Sequence, residues 1–198
     1  MPAPYLIVVA GPNGSGKTTF AKSNLQEFID RNVFLNADEI AREDNPGDVE
    51  AAAMDAGRKA LERRKSLIER GDSLCVETTL AGNSIRRFMQ EAKQQGYVVR
   101  LIFLFTTSPE VNEARVMQRV MKGGHNIPVD DIRRRHGRGL KNLADCWSAC
   151  DEGVIYDARA RRLIEILVKT AGKMSIANDE AWVELRGILQ VGGYRIPS

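Results

Sequence analysis

With 198 residues, 43% hydrophobic and 28% charged side chains, the chain has the size and composition of one globular domain with a substantial core. No apolar run approaches the roughly 18 residues that would span a bilayer, and three cysteines form neither a metal pattern nor an even disulfide set. The formal net charge of +3 identifies no partner by itself.

In chain order, Tyr5-Leu6-Ile7-Val8-Val9-Ala10 predicts a fully buried strand. It begins so near the N-terminus that no signal peptide is expected and a cytoplasmic location is. Gly11 to Thr18 then read GPNGSGKT, a full match to G-x-x-x-x-G-K-[S/T]. Phe20, Ala21, Leu25, Phe28 and Ile29 follow at helical spacing. Strand, glycine loop and helix together are the context in which this pattern binds a nucleoside triphosphate. Gly11, Asn13, Gly14, Ser15, Gly16, Lys17, Thr18 and Thr19 are the predicted phosphate cradle. Its backbone N–H groups and the helix N-terminus attract anions, Lys17 adds a full charge, and the Thr18 hydroxyl is the predicted Mg²⁺ ligand.

Val33 to Asn36 predicts a second, short strand. Asn45-Pro46-Gly47-Asp48 predicts a turn with Asp48 as N-cap of a long helix carrying Met54, Leu61, Leu67 and Ile68 and ending at Gly71. Ser73 to Thr79 predicts a strand, Ser84 to Gln95 a helix stopped by Gly96, and Val98 to Phe105 a central buried strand. A helix starts at Ser108-Pro109, breaks at Gly123-Gly124-His125, and a second basic helix begins near Pro128. Val154 to Tyr156 and Leu163 to Val168 supply late strands, and Asn178 to Leu189 a last helix with Trp182, Leu185 and Leu189 as a packing face. Strands separated by helices predict an α/β P-loop fold, a three-layer sandwich with a mostly parallel central sheet. One domain spans 1–198, with a helical lid at about 109–143 and a C-terminal strand and helix appendage at about 160–198.

Ligands of such sheets gather beyond the carboxyl ends of the strands. Asp38, just past the second strand, can take a proton from a substrate hydroxyl during phosphoryl transfer, or it can cap a short helix. Glu77 ends the third strand and can hold Mg²⁺ through water, orient an acceptor, or form an edge hydrogen bond. Thr78 and Thr79 are candidate substrate contacts or ordinary strand residues. Between Val111 and Asn142, eight basic residues face three acidic ones, a local charge of +5. Arginines on such a hairpin can stabilise the charge of a transferring phosphoryl group, and Gly123-Gly124 permits a hinge. Arg135 and Arg138 share a helix face from which Arg134 points away. No aromatic residue interleaves the patch, so nucleic-acid binding is not expected. His125 and His136 have hydrogen-bonding or surface roles, and Cys75, Cys146 and Cys150 are expected as buried thiols.

These motifs, taken together, resemble a known family. GPNGSGKTT, Asn36-Ala37-Asp38-Glu39-Ile40-Ala41 and Glu77-Thr78-Thr79-Leu80 form one half of the match. Arg115-Val116-x-x-Arg119-Val120-x-x-Gly123-Gly124-His125-x-Ile127-Pro128 and Arg134-Arg135-x-x-Arg138-x-Leu140-x-Asn142-Leu143 form the other. The chain is similar to the zeta-toxin-like P-loop kinases, in their short bacterial branch, over about Tyr5 to Tyr156. The resemblance implies ATP- and Mg²⁺-dependent phosphorylation of a small molecule, with a UDP-activated amino sugar as acceptor in the toxin branch and a protein antitoxin as partner. It also implies Lys17 and Thr18 at the phosphates and metal, Asp38 as catalytic base, and Glu77, Thr78 and Thr79 on the substrate side. Arg119 and Arg135 match the phosphate-clamping arginines.

The residues alone leave three readings open: a small-molecule kinase, an ATP hydrolase, and a nucleotide-dependent binding module. An ABC-type hydrolase would carry a Leu-Ser-Gly-Gly-Gln signature and an Asp-Glu pair, and neither is present. A GTPase would carry Asn-Lys-x-Asp, whereas Asn142-Leu143-Ala144-Asp145 lacks the lysine.

Overall fold

Strand β1 (Tyr5–Ala10) carries no polar alternation, and every side chain from Leu6 to Ala10 is buried. The computed structural model describes residues 2–45, 49–124, 126–160 and 162–198. Most of the turn expected at Asn45 to Asp48, including its Asp48 cap, and the role expected of His125 fall on residues outside these ranges. β1 pairs in parallel with β3 (Leu74–Thr78) on one side and β4 (Val98–Phe105) on the other. β2 (Phe34–Leu35) extends the sheet beyond β3 and β5 (Glu152–Asp157) beyond β4, again in parallel. β6 (Ile164–Thr170) and β7 (Lys173–Ile176) add an antiparallel hairpin. The order is β2-β3-β1-β4-β5-β6-β7, a mostly parallel seven-stranded sheet.

The chain leaves β1 towards β2 and β3 on one side and reaches β4 and β5 on the other. The loop after β1 therefore sits at the switch point, where two connections diverge and leave a crevice. The helices are α1 (Lys17–Asn24), α2 (Gln26–Asp30), α3 (Ala37–Asp44), α4 (Val49–Glu69), α5 (Ser84–Gln94), α6 (Pro109–Met121), α7 (Val129–Ala149) and α8 (Asp179–Val191). β4 is the centre of the core, with Val99 and Leu101 to Phe105 all buried. α5 and α7 pack on each other and on β4.

Three features differ from expectation. The first helix breaks at Leu25, whose φ of −131° and ψ of 33° are not helical. Both Leu25 and Phe28 reach the core, and periodicity does not register a break that preserves the buried face. β7 was not anticipated. All four of its residues are exposed, so it has no alternation to read, and it follows a two-residue turn, Ala171-Gly172, with positive φ at both positions. Of the stretch expected as a lid, α7 is largely core: Ile132, His136, Leu140, Leu143, Cys146 and Trp147 are buried along it. Trp182, Leu185 and Leu189 do form a buried face of α8, whose N-cap Asn178 accepts from the Ala181 N–H. Among the described residues, no helix is long and apolar enough to cross a membrane.

Gly139 shows how closely α7 approaches the segment after β3. A Cβ at this position would lie 2.8 Å from the Thr79 carbonyl oxygen. Alanine favours an isolated helix by about 1 kcal/mol over glycine, yet Gly139→Ala is expected to lower stability by about 1–3 kcal/mol through overpacking. Urea unfolding measures the difference, and a gain in stability would show that α7 can yield here.

Candidate active site

The loop after β1 is held by its neighbours as well as by its own conformation. At Gly11, where φ is +145°, a Cβ would meet the Leu104 carbonyl oxygen at 2.6 Å and Ser15 Oγ at 2.8 Å. At Gly14, where φ is +73°, it would meet the Asn112 carbonyl oxygen at 2.9 Å. β4 and α6 thus press on the loop so closely that only glycine fits. Gly16 precedes α1, whose first turn carries no acid. Its unpaired N–H groups form the positive end of the helix.

A cavity of about 500 Å³ opens here, lined by Asn13, Gly14, Gly16, Lys17, Thr18 and Thr19 together with Asn36, Asp38, Glu77 and Arg119. Lys17 is buried, and its Nζ donates to the Pro12 carbonyl at 2.9 Å. Ser15 Oγ and Asn13 Oδ1 are buried without a hydrogen-bond partner. A buried ammonium and a helix N-terminus on one cavity suit the oxygens of a polyphosphate.

Glu77 joins three elements. Its Oε2 accepts from Thr18 Oγ1 and from Asn36 Nδ2, both at 2.9 Å, and its Oε1 lies 4.0 Å from Lys17 Nζ. Asn36 is the N-cap of α3: its Oδ1 accepts from the N–H groups of Asp38 at 2.9 Å and Glu39 at 3.3 Å. The capping reading of Asp38 is thereby corrected. Asn36 caps the helix, and Asp38 sits in its first turn with its side chain on the cavity wall. Burial holds the Lys17 ammonium below its usual pKa although Glu77 and Asp38 favour its charge. Burial raises Glu77 above the usual carboxylate range although Lys17 and the Thr18 hydroxyl oppose it. At 4.0 Å the pair does not offset its own desolvation.

Arg119 reaches the cavity from α6. Burial lowers its pKa, while Asp38 and Glu77 favour its charge. Arg135 lies within range of Lys17 and donates to Asp131 at 3.1 Å, but does not line the cavity. Thr78 Oγ1 accepts from the Leu80 N–H at 3.1 Å, where the backbone turns through a φ of +60°. Neither Thr78 nor Thr79 lines the cavity. His136 is buried with Nε2 3.2 Å from the Thr106 carbonyl. All three cysteines are buried thiols, with Cys146 pushed up to about 12 and Cys150 to about 11 by burial.

Some residues of the site were given no role of their own from sequence. Asn36 is the hub just described, and Asn36-x-x-Glu39 is the capping-box spacing that could have found it. Arg115 donates to the carbonyls of Gly14 at 3.4 Å and Arg159 at 2.7 Å, tying the loop to the segment after β5. Asn112 is buried against Gly14 and accepts from Thr106 Oγ1 at 3.0 Å. No sequence pattern marks it.

Residues 1–164 match the family model described as zeta toxin. A protein of Haemophilus influenzae, described only as uncharacterized, is 37% identical over 130 residues, which are 66% of this chain and 91% of its own. The crystal structure of AvrRxo1-ORF1:-ORF2 with ATP is similar at a TM-score of 0.74 and 17% identity, over 92% of this chain and 63% of that one. This chain thus spans less than two thirds of that protein's length. A structure from the PezAT chromosomal toxin–antitoxin system of Streptococcus pneumoniae is similar at a TM-score of 0.61 and 19% identity, over 98% and 85% of the two chains. At these identities the two structures speak to the fold.

The Glu77 shift has a stability consequence. Its pKa is raised in the folded chain, so above about pH 4.5 the native state binds more protons than the unfolded state. Stability contributed at Glu77 therefore falls as pH rises through the window between the unfolded and the raised folded pKa. Glu77→Gln removes this slope. Urea unfolding without nucleotide should give a wild-type minus variant difference that declines from pH 4.5 upward, and a rising difference would contradict the burial argument.

Proposed function

The chain belongs to the zeta toxin family, and on that premise we propose that it is an ATP- and Mg²⁺-dependent kinase transferring the γ-phosphate to a hydroxyl of a small molecule. The observation that carries the reading is the Glu77 junction. It gathers the Lys17 ammonium, the Thr18 hydroxyl and the Asn36 cap that positions Asp38, all on one cavity. A phosphate cradle with a carboxylate on the facing wall is what hydroxyl phosphorylation requires.

Lys17 and the N–H groups at the start of α1 bind the phosphates. Thr18 Oγ1, with Glu77 beside it, would hold Mg²⁺, which would supply positive charge against the phosphates. Asp38 takes the proton of the acceptor hydroxyl while its oxygen bonds to the γ-phosphorus and the bond to the β-phosphate oxygen breaks, releasing ADP. Arg119 stabilises charge on the equatorial oxygens, and Arg135 adds positive charge near Lys17 without lining the cavity. Thr78 and Thr79 shape the acceptor side through the turn they form rather than by lining the phosphate cavity. A UDP-activated amino sugar is the first acceptor to test. AvrRxo1-ORF1:-ORF2 with ATP and the PezAT toxin–antitoxin system support ATP as donor and an antitoxin protein as a partner of this chain.

The test is phosphate transfer from γ-labelled ATP to UDP-sugars, nucleosides and small alcohols, with water as background. A labelled organic product is expected. Asp38→Asn should lower its rate about 10²- to 10⁴-fold while ATP binding persists, and Lys17→Ala should abolish measurable ATP binding. Free phosphate alone, unaffected by any acceptor, would replace the kinase by a hydrolase. Arg119→Gln should cost about 10²-fold or more in kcat, with a smaller change in ATP affinity. Equal losses in both would make Arg119 a binding residue.

A further inference from the structure

A second cavity of about 720 Å³ lies between α5 and α7 and shares no lining residue with the cavity around Lys17. Arg86 and Arg87 reach it from α5, Arg138 and Lys141 from α7. Among the described residues, none of these four has an ion-pair or hydrogen-bond partner. Their neighbours on α7 are handled differently: Arg133 pairs with Glu113 at 2.6 Å, and Arg134 and Arg135 pair with Asp131 at 2.6 and 3.1 Å. The wet face of α4 likewise matches charge with charge, as in Arg58 with Asp55 and Lys65 with Glu69. The one carboxylate in the groove, Asp145, is taken by Arg195.

The same groove receives the N-terminus of α5. Its cap residue, Asn83, makes no side-chain cap bond, and its first turn carries no acid. The free N–H groups add positive potential to the four cations. The four side chains are exposed, and the groove gathers them with no opposing carboxylate free. Guanidinium groups and helix N-termini are the donors that phosphate uses best. No aromatic residue lines the groove, so stacking of single-stranded bases has no platform there. Its volume is that of a small-molecule site.

We propose that the α5–α7 groove is an anion site for a phosphate-bearing small molecule, separate from the phosphate cradle at Lys17. The groove wall is wired to the catalytic segment. Asn142 Nδ2 donates to the Leu80 carbonyl at 2.8 Å, and Leu80 is held through its N–H by Thr78, the residue after Glu77. The phosphate comes either from the acceptor itself or from a separate effector. Both sources need the same four cations.

The test uses the full chain saturated with a non-hydrolysable ATP analogue and Mg²⁺, so that the cradle is filled, and titrates inorganic pyrophosphate by calorimetry at low salt. One further site is expected, weakened about tenfold or more by Arg86→Gln/Lys141→Gln. Analogue affinity should not change, nor should pyrophosphate affinity in an Arg58→Gln/Lys65→Gln control. Arg87→Gln/Arg138→Gln repeats the test should the first pair fail to fold. Absence of a second site, or undiminished binding in the groove variants, would overturn the proposal whatever the fate of the kinase reading. Tighter groove-dependent binding of a single-stranded oligonucleotide or a polyglutamate peptide would overturn it in favour of a macromolecular surface. Kinetics with a phosphate-bearing acceptor, which do rest on the kinase reading, separate the two sources. Competitive inhibition by pyrophosphate with a raised KM in the groove variant marks the acceptor's own phosphate, and a change in kcat without competition marks an effector.

Discussion

A buried carboxylate that its neighbours do not fully compensate governs the architecture of the phosphate cavity. Glu77 accepts two neutral hydrogen bonds, from Thr18 and Asn36, while the nearest cation stays 4.0 Å away. Hydrogen bonds to a charged group contribute about 1.5–3 kcal/mol each, less than burial of an ion withdraws. The same burial acts on Lys17, so the two groups are each pushed towards neutrality. On the proposed kinase reading, a polyphosphate with its cation would supply what both lack: anionic oxygens for Lys17 and a positive charge for Glu77.

The fold makes that arrangement possible by fixing three backbones before any side chain is placed. Glu77 lies one residue before the end of β3, in register with Val9 of β1, two residues before the loop begins at Gly11. The loop is clamped from the far side by the Leu104 and Asn112 carbonyls. α3 is brought in by its Asn36 cap, whose two side-chain ends serve Glu77 and the helix at once. Asp38 therefore inherits its position from β3 through a single side chain. Losing the Asn36 amide would disturb the wall that carries Asp38 without touching the phosphate loop.

The legible parts of the sequence were those in which local pattern and tertiary need coincide. β1 and β4 are apolar throughout because both faces of a parallel sheet are covered, and the glycine loop is written in its own residues. Less legible were features made by contact between distant segments. Asn112 is an ordinary polar residue of a helix until it is packed on Gly14. α7 looks basic because Arg133, Arg134, Arg135, Arg138 and Lys141 crowd one stretch, yet Ile132, His136, Leu140, Leu143 and Trp147 place its other face in the core. β7 is exposed at every position and carries no burial signal at all. The Thr78 hydroxyl is spent on a turn, which strand propensity does not foresee.

The commitment of α7 to the core limits which part of the chain can rearrange over the phosphates. Displacing α7 would uncover Trp147 and Leu143, each fully buried, at several kcal/mol per side chain by the usual scale of apolar burial. α6 is divided. Its N-terminal half is anchored by buried Asn112 and Val116 and by the Arg115 link to the loop, whereas Met117, Val120 and Met121 in its C-terminal half are exposed. Arg119 belongs to that second half and lines the cavity from it. The exposed side chains of the last turn of α6 contribute nothing to the core. Movement of Arg135 would require displacing a helix whose buried face is continuous with β4. The two arginines that resemble a matched clamp thus differ in their support: Arg119 stands in a half-helix with exposed apolar side chains, Arg135 on a helix whose other face is core.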